Sequence, residues 1–135
     1  MKVHTTGERN MAIGTNAMDD TDAGSTSLGS TDNIFMGHNA GGGTWADAAS
    51  NGNVSIGNYT MDSALNGATY NTAIGYYALS SVTTGDFNNV IGWNAGTNIT
   101  TGAQNIFMGR DAGYKMVSGS NNTAIGEQSL NANTT

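Results

Sequence analysis

The stretch 71-NTAIGYYALSSVTTGDFNNVIGWNAG-96 states one pattern twice: Asn71-Thr72-Ala73-Ile74-Gly75 returns seventeen residues later as Asn88-Asn89-Val90-Ile91-Gly92. Working outward, Asn-x-x-(Ile/Met)-Gly occurs seven times, with glycines at Gly14, Gly37, Gly57, Gly75, Gly92, Gly109 and Gly126. Four residues earlier stand Asn10, Asn33, Asn53, Asn71, Asn88, Asn105 and Asn122. Directly before the glycine stand Ile13, Met36, Ile56, Ile74, Ile91, Met108 and Ile125. Three residues after it the side chain is small in every copy (Ala17, Ala40, Thr60, Ala78, Ala95, Ala112, Ser129).

The spacings are 23, 20, 18, 17, 17 and 17 residues. A 17-residue unit is too short for a two-helix repeat and suits one coil of a β-solenoid, two short strands and two turns. The expected fold is therefore all-β, a parallel β-solenoid (β-roll) of about seven coils. The 135 residues form one domain, with regular coils over 57–135 and longer, loop-bearing coils over 5–56. Glycine at a corner provides positive φ or close backbone approach. Asparagines one strand spacing apart can form a ladder along the axis.

Composition agrees. Charged residues are 10% of the chain, replaced by 20 Gly, 18 Asn and 18 Thr, with no Pro and no Cys. Four basic residues and a net charge of −6 exclude a basic nucleic-acid groove. Without cysteine there is neither a disulfide framework nor a thiolate metal site. No window of 18 apolar residues predicts a membrane span. The N-terminal 1-MKVHTTGERN-10 lacks the apolar core of a signal peptide.

Strand alternation sets a further expectation. If the Ile/Met row fills the coil, the preceding residues (Ala12, Phe35, Ser55, Ala73, Val90, Phe107 and Ala124) face outward. A strand apolar on both faces is normally covered on both. That row is thus the expected interface of a self-associating assembly, most economically a cyclic homotrimer.

Asn-x-Ala-Ile-Gly-x-x-Ala, as in 71-NTAIGYYA-78 and 122-NTAIGEQS-129, resembles the head repeat of YadA-type trimeric autotransporter adhesins. It resembles still more the NTAIGxxAL…TTG arrays of phage tail fibres and related large surface proteins. The similarity spans about residues 5–130. It implies a left-handed parallel β-roll in a trimer that binds host surface molecules. The coils here are longer than in adhesin heads, and the neck, stalk, anchor and self-cleaving chaperone domain found in such proteins have no counterpart in these 135 residues.

The ends 1-MKVHTT-6 and 130-LNANTT-135 share one phase of the repeat. A segment of a longer fibre and units stacking end to end both fit that pattern.

Nothing in the sequence points to catalysis or a cofactor. The run 40-AGGGT-44 lacks the Gly-Lys-Ser/Thr of a phosphate loop. His4 and His38 have no partner at ligand spacing, so no metal site is expected there. The cluster 19-DDTD-22 offers hard oxygen ligands for Ca²⁺ but lacks EF-hand spacing, and reads first as a solvated loop.

The positions that vary are those after each glycine. Tyr59, Tyr76, Tyr77 and Trp93 form an expected aromatic strip, suited to stacking on sugar rings or to packing between subunits. Trp45, in a loop-bearing coil, is a further candidate ligand contact. The functional expectation is a structural and adhesion module of a virion fibre, located on a virion or cell surface, whose partners are its own copies and a surface glycan or protein receptor. A bacterial trimeric adhesin head or a self-assembling filament is the alternative. An ice-binding solenoid fits less well, because the Thr pairs vary in number between coils.

Overall fold

The computed structural model describes residues 7–19 and 29–134. Each repeat contributes one three-residue strand: β1 (Met11–Ile13), β2 (Ile34–Met36), β3 (Val54–Ile56), β4 (Thr72–Ile74), β5 (Asn89–Ile91), β6 (Ile106–Met108) and β7 (Thr123–Ile125). They stack in chain order as a single seven-stranded parallel sheet. Register follows the repeat, so Ala73 pairs with Val90 and Val90 with Phe107. The fold is the all-β parallel solenoid expected. Each repeat has one described strand, however, where two were expected.

Turns supply the rest of each coil, at phases where the backbone is left-handed. The residue before each ladder asparagine has positive φ (Tyr70 55°, Phe87 56°, Gln104 58°), as do the second residue after the glycine (Tyr77 57°, Asn94 53°, Asp111 56°) and the fourth (Leu79 53°, Gly96 56°, Gly113 64°). Such φ values are costly for side chains with a Cβ. Bonds to the adjacent coil hold these corners: Phe87 N–H to Thr69 C=O at 3.0 Å, Asn94 N–H to Tyr76 C=O at 2.9 Å.

The motif glycine is required on two counts. Gly92 has φ 143°, and a Cβ there would lie 2.4 Å from the carbonyl oxygen of Gly109 in the next coil. Only glycine lets consecutive coils approach so closely at this corner.

The asparagine row is a buried ladder. Asn88 Nδ2 donates to Asn71 Oδ1 (3.0 Å) and to Gly102 C=O (2.8 Å), while its N–H donates to Asn71 Oδ1 (2.9 Å). Its own Oδ1 accepts from the N–H and Nδ2 of Asn105 (3.1 and 2.9 Å). Asn33, Asn53, Asn71, Asn88 and Asn105 are all fully buried. A buried amide is stable only with its donors and acceptors paired, and this geometry pairs them coil after coil.

The direction of the strand faces corrects the sequence reading. The row expected at a subunit interface lies inside the coil: Phe35, Ser55, Ala73, Val90 and Phe107 are fully buried, Ala124 nearly so, and Ala12 packs partly buried against the core. The Ile/Met row faces outward, with Ile13 54% and Ile125 68% exposed at the two ends.

The physical reason is volume compensation within each coil. Where the strand residue is Phe35 or Phe107, the residue six positions later is Gly41 or Gly113; a Cβ on either would come within 2.5 Å of the ring. Where the strand residue is Ala73 or Ser55, that position holds Leu79 or Met61, both fully buried. The interior thus keeps near-constant volume while its individual residues vary. Trp45, Leu65, Val82, Ile99 and Met116 complete the core. The polar Ser55 is paired internally, donating to Thr60 Oγ1, which donates to Gly57 C=O at 2.9 Å.

Candidate functional site

Two surfaces stand out. The first is the outer face of the sheet. Met11, Ile13, Ile56, Ile91, Ile106, Met108 and Ile125 are each between 38% and 68% exposed, and Ile34, Met36, Val54 and Ile74 are half-buried. In-register pairing of the strands aligns them as two parallel rows, Ile74 beside Ile91 and Ile91 beside Met108. A continuous apolar stripe runs along the solenoid, interrupted only where Thr72, Asn89 and Thr123 occupy the first strand position.

The second is an aromatic cluster at the corner following the glycine. The rings of Tyr59 and Tyr77 stack with centroids 4.9 Å apart and 14° between planes. Tyr76 meets Tyr77 edge-on at 4.6 Å and Tyr59 at 5.6 Å. His38 closes the lower end, edge-on to Tyr59 at 5.2 Å. The left-handed conformations of Tyr59 (φ 58°) and Tyr77 (φ 57°) place the two tyrosines at the same corner of successive coils.

Asp62 supplies the cluster's negative charge. Burial pushes its carboxyl above the usual carboxylate range, and the nearby His38 offsets this in part. The Tyr77 hydroxyl is pushed up as well, first by desolvation and then by its neighbours Tyr76, Tyr59 and Asp62. Rings, a carboxyl, an imidazole and phenolic hydroxyls thus share one patch, apolar ring faces beside hydrogen-bonding groups.

Of the five expected ligand contacts, Tyr59, Tyr76 and Tyr77 are brought together. Trp93 is 49% exposed at the position of Tyr76 one strand further on, and no described ring stacks on it. Arg110, the next residue in that row, pairs with Glu127. Trp45 is a correction: it is fully buried, edge-on to Phe35 at 5.6 Å, with Nε1–H donating to Gly41 C=O at 3.0 Å. Aromatic residues in a longer coil suggested a loop tip, whereas this indole fills core volume.

The sequence reading does not anticipate Asp62 or the ring contact of His38 with Tyr59. The available signal was phase: His38 and Tyr76 share the position after the glycine, and Asp62 lies five residues after Gly57. Among the described residues no group of three or more His, Cys, Asp or Glu side chains could hold a metal ion. His4, Asp20 and Asp22 lie outside the described residues, so the 19–22 loop is represented only by Asp19. No described helix is long and apolar enough to cross a membrane. No family model, curated protein or solved structure matches this chain.

Proposed function

We propose that this chain is a structural and adhesion module of a surface fibre, most specifically a phage tail fibre or similar virion fibre. It assembles as a homotrimer through the outer face of its sheet and recognises surface glycans at the Tyr59–Tyr76–Tyr77 cluster. The observation that carries the reading is the exposed Ile/Met stripe. Sheets with both faces apolar are ordinarily covered on both, and large contiguous apolar patches mark association surfaces. Three copies around an axis parallel to the solenoid would cover all three stripes. The resemblance to adhesin-head and tail-fibre repeats supports the trimer, and the stronger resemblance to tail-fibre arrays supports the virion location.

The test has two arms. Sedimentation equilibrium reads the assembly, and a chain that stays monomeric at micromolar concentration would contradict lateral association. A glycan array of wild type, Tyr76→Ala and Trp93→Ala reads recognition. Loss of a wild-type signal in Tyr76→Ala is expected, and equal signals in all three would remove the aromatic site. A bacterial trimeric adhesin head shares every feature used here and is the second reading. The resemblance to adhesin heads favours it, and the source of the parent gene separates the two.

A further inference from the structure

The corner that leads into each strand carries its own row of side chains. Arg9, Asp32, Gly52, Tyr70, Phe87, Gln104 and Asn121 each precede a ladder asparagine, and all seven are left-handed, with φ between 55° and 66°. Backbone bonds hold them in register: Tyr70 N–H donates to Asn51 C=O at 2.9 Å, and Gln104 N–H to Asp86 C=O at 2.9 Å. The row thus runs along one edge of the sheet.

A left-handed corner suits Gly, Asn or Asp, and Gly52, Asp32 and Asn121 meet that need. Tyr70 and Phe87 do not. Their rings stack with centroids 5.2 Å apart and 17° between planes. Tyr70 also lies over Gly52, where a Cβ would fall 2.7 Å from its Cδ1. Stacked in this way, Tyr70 is still 58% and Phe87 51% exposed. Neither the corner nor the core accounts for two aromatic rings in water.

The neighbouring strand position does. Where the first strand residue is Met11, Ile34, Val54 or Ile106, the corner two residues earlier holds Arg9, Asp32, Gly52 or Gln104. Where it is Thr72 or Asn89, the corner holds Tyr70 or Phe87. The seventh repeat, with Asn121 and Thr123, is polar at both. At β4 and β5 the apolar surface is moved sideways rather than lost, so the stripe stays continuous from β1 through β6.

We infer that Tyr70 and Phe87 anchor the lateral contact between copies of this chain, seated on β4 and β5 of the neighbouring copy. The inference rests on the lateral assembly proposed above and names the residues that hold it. A second copy is the occupant because the stripe repeats once per coil, at roughly 4.8 Å. A partner that covers it along the solenoid must present apolar groups at the same interval, as this sheet does. Around an axis parallel to the solenoid, equivalent coils of a cyclic assembly stand at equal heights. The rings of one copy therefore meet Ile74 and Ile91 of the next, both of which reach the surface. Aromatic anchors near the centre of an apolar patch are where association energy concentrates.

The test is sedimentation equilibrium, with circular dichroism, of wild type, a Tyr70→Asn/Phe87→Asn double variant and Tyr114→Ser. Asn121 already occupies this corner in the same conformation (φ 62°), so the double variant is expected to keep its fold. Its association is expected to be roughly a hundredfold weaker, with Tyr114→Ser like wild type. A folded double variant that assembles as wild type does would overturn the inference and leave lateral assembly standing. Wild type of one chain mass at every concentration would remove lateral assembly itself. A second readout keeps both rings. The chain has no cysteine, so Gln104→Cys, next to Phe87 in the row, gives a single thiol. Its labelling is expected to be about tenfold slower in the assembly than after dilution to single chains. Equal rates in the two states would overturn the inference.

Discussion

Gly113 lies directly against the ring of Phe107: a Cβ on the glycine would fall 2.5 Å from Phe107 Cε2, so the two positions share one fixed volume. Two coils earlier the same two positions hold Ala73 and Leu79, both fully buried. Exchanging one solution for the other is therefore expected to work only when both residues change. Gly113→Leu alone overpacks the coil and is expected to cost roughly 1–3 kcal/mol or more, and Phe107→Ala alone about 3–5 kcal/mol. The double variant is expected to cost clearly less than the sum. Chemical denaturation of the four proteins checks this, and simple additivity would refute the shared-volume account.

The outward face makes the opposite prediction for a neighbouring side chain. Ile91 is 39% exposed, so Ile91→Lys is expected to leave the fold intact while abolishing lateral association. Phe107→Asp buries a carboxylate in the core and is expected to unfold the affected coils. Circular dichroism with light scattering separates the two outcomes.

The asparagine ladder predicts a gradient along the rod. Asn88→Ala leaves the buried N–H of Asn105 and the C=O of Gly102 without their side-chain partner. Each unsatisfied group costs about 1–3 kcal/mol, so a loss of roughly 3 kcal/mol is expected. Asn122→Ala, at the part-buried end, is expected to cost much less. Hydrogen exchange at Asn105 N–H is the local readout, expected to accelerate in Asn88→Ala.

Asp62 predicts a pH dependence. Its folded-state carboxyl holds a proton to higher pH than the unfolded one, so its contribution to stability falls as pH rises through the raised value. Replacing it by Asn removes that dependence. Asp62→Asn is expected to melt higher than wild type at pH 7, with the gap closing below about pH 4, where the carboxyl is protonated in both states. A gap that widens on acidification would contradict the burial assigned to this group.

The repeat period, the close glycine corner and the asparagine ladder were legible because each rests on a residue type with few physical substitutes. Gly92 cannot be replaced without striking Gly109, and Asn88 needs both its donors and its acceptor. Which strand face is interior was not legible from alternation alone, since both rows are apolar. The uniform Ile/Met row looked like core, yet the varied row is core because Gly41, Gly96 and Gly113 or Leu79, Met61 and Met18 compensate it six residues later. That covariation between copies was in the sequence and identifies the interior. The aromatic corner was legible in Tyr59, Tyr76 and Tyr77 but not in its polar partners. Asp62 lies near enough to His38 and Tyr77 to interact with them electrostatically, a proximity that linear spacing does not express. Trp45 was misread because the course of a longer coil sets whether an indole is a loop tip or a core filler.

The central claim is that the Ile/Met row is an outer, self-associating face. Sedimentation equilibrium across a concentration series tests it most directly. A single species at three times the 13.8 kDa chain mass, falling to one chain mass when Ile91→Lys is added, is the result expected. A stable species of one chain mass before Ile91 is changed would contradict it.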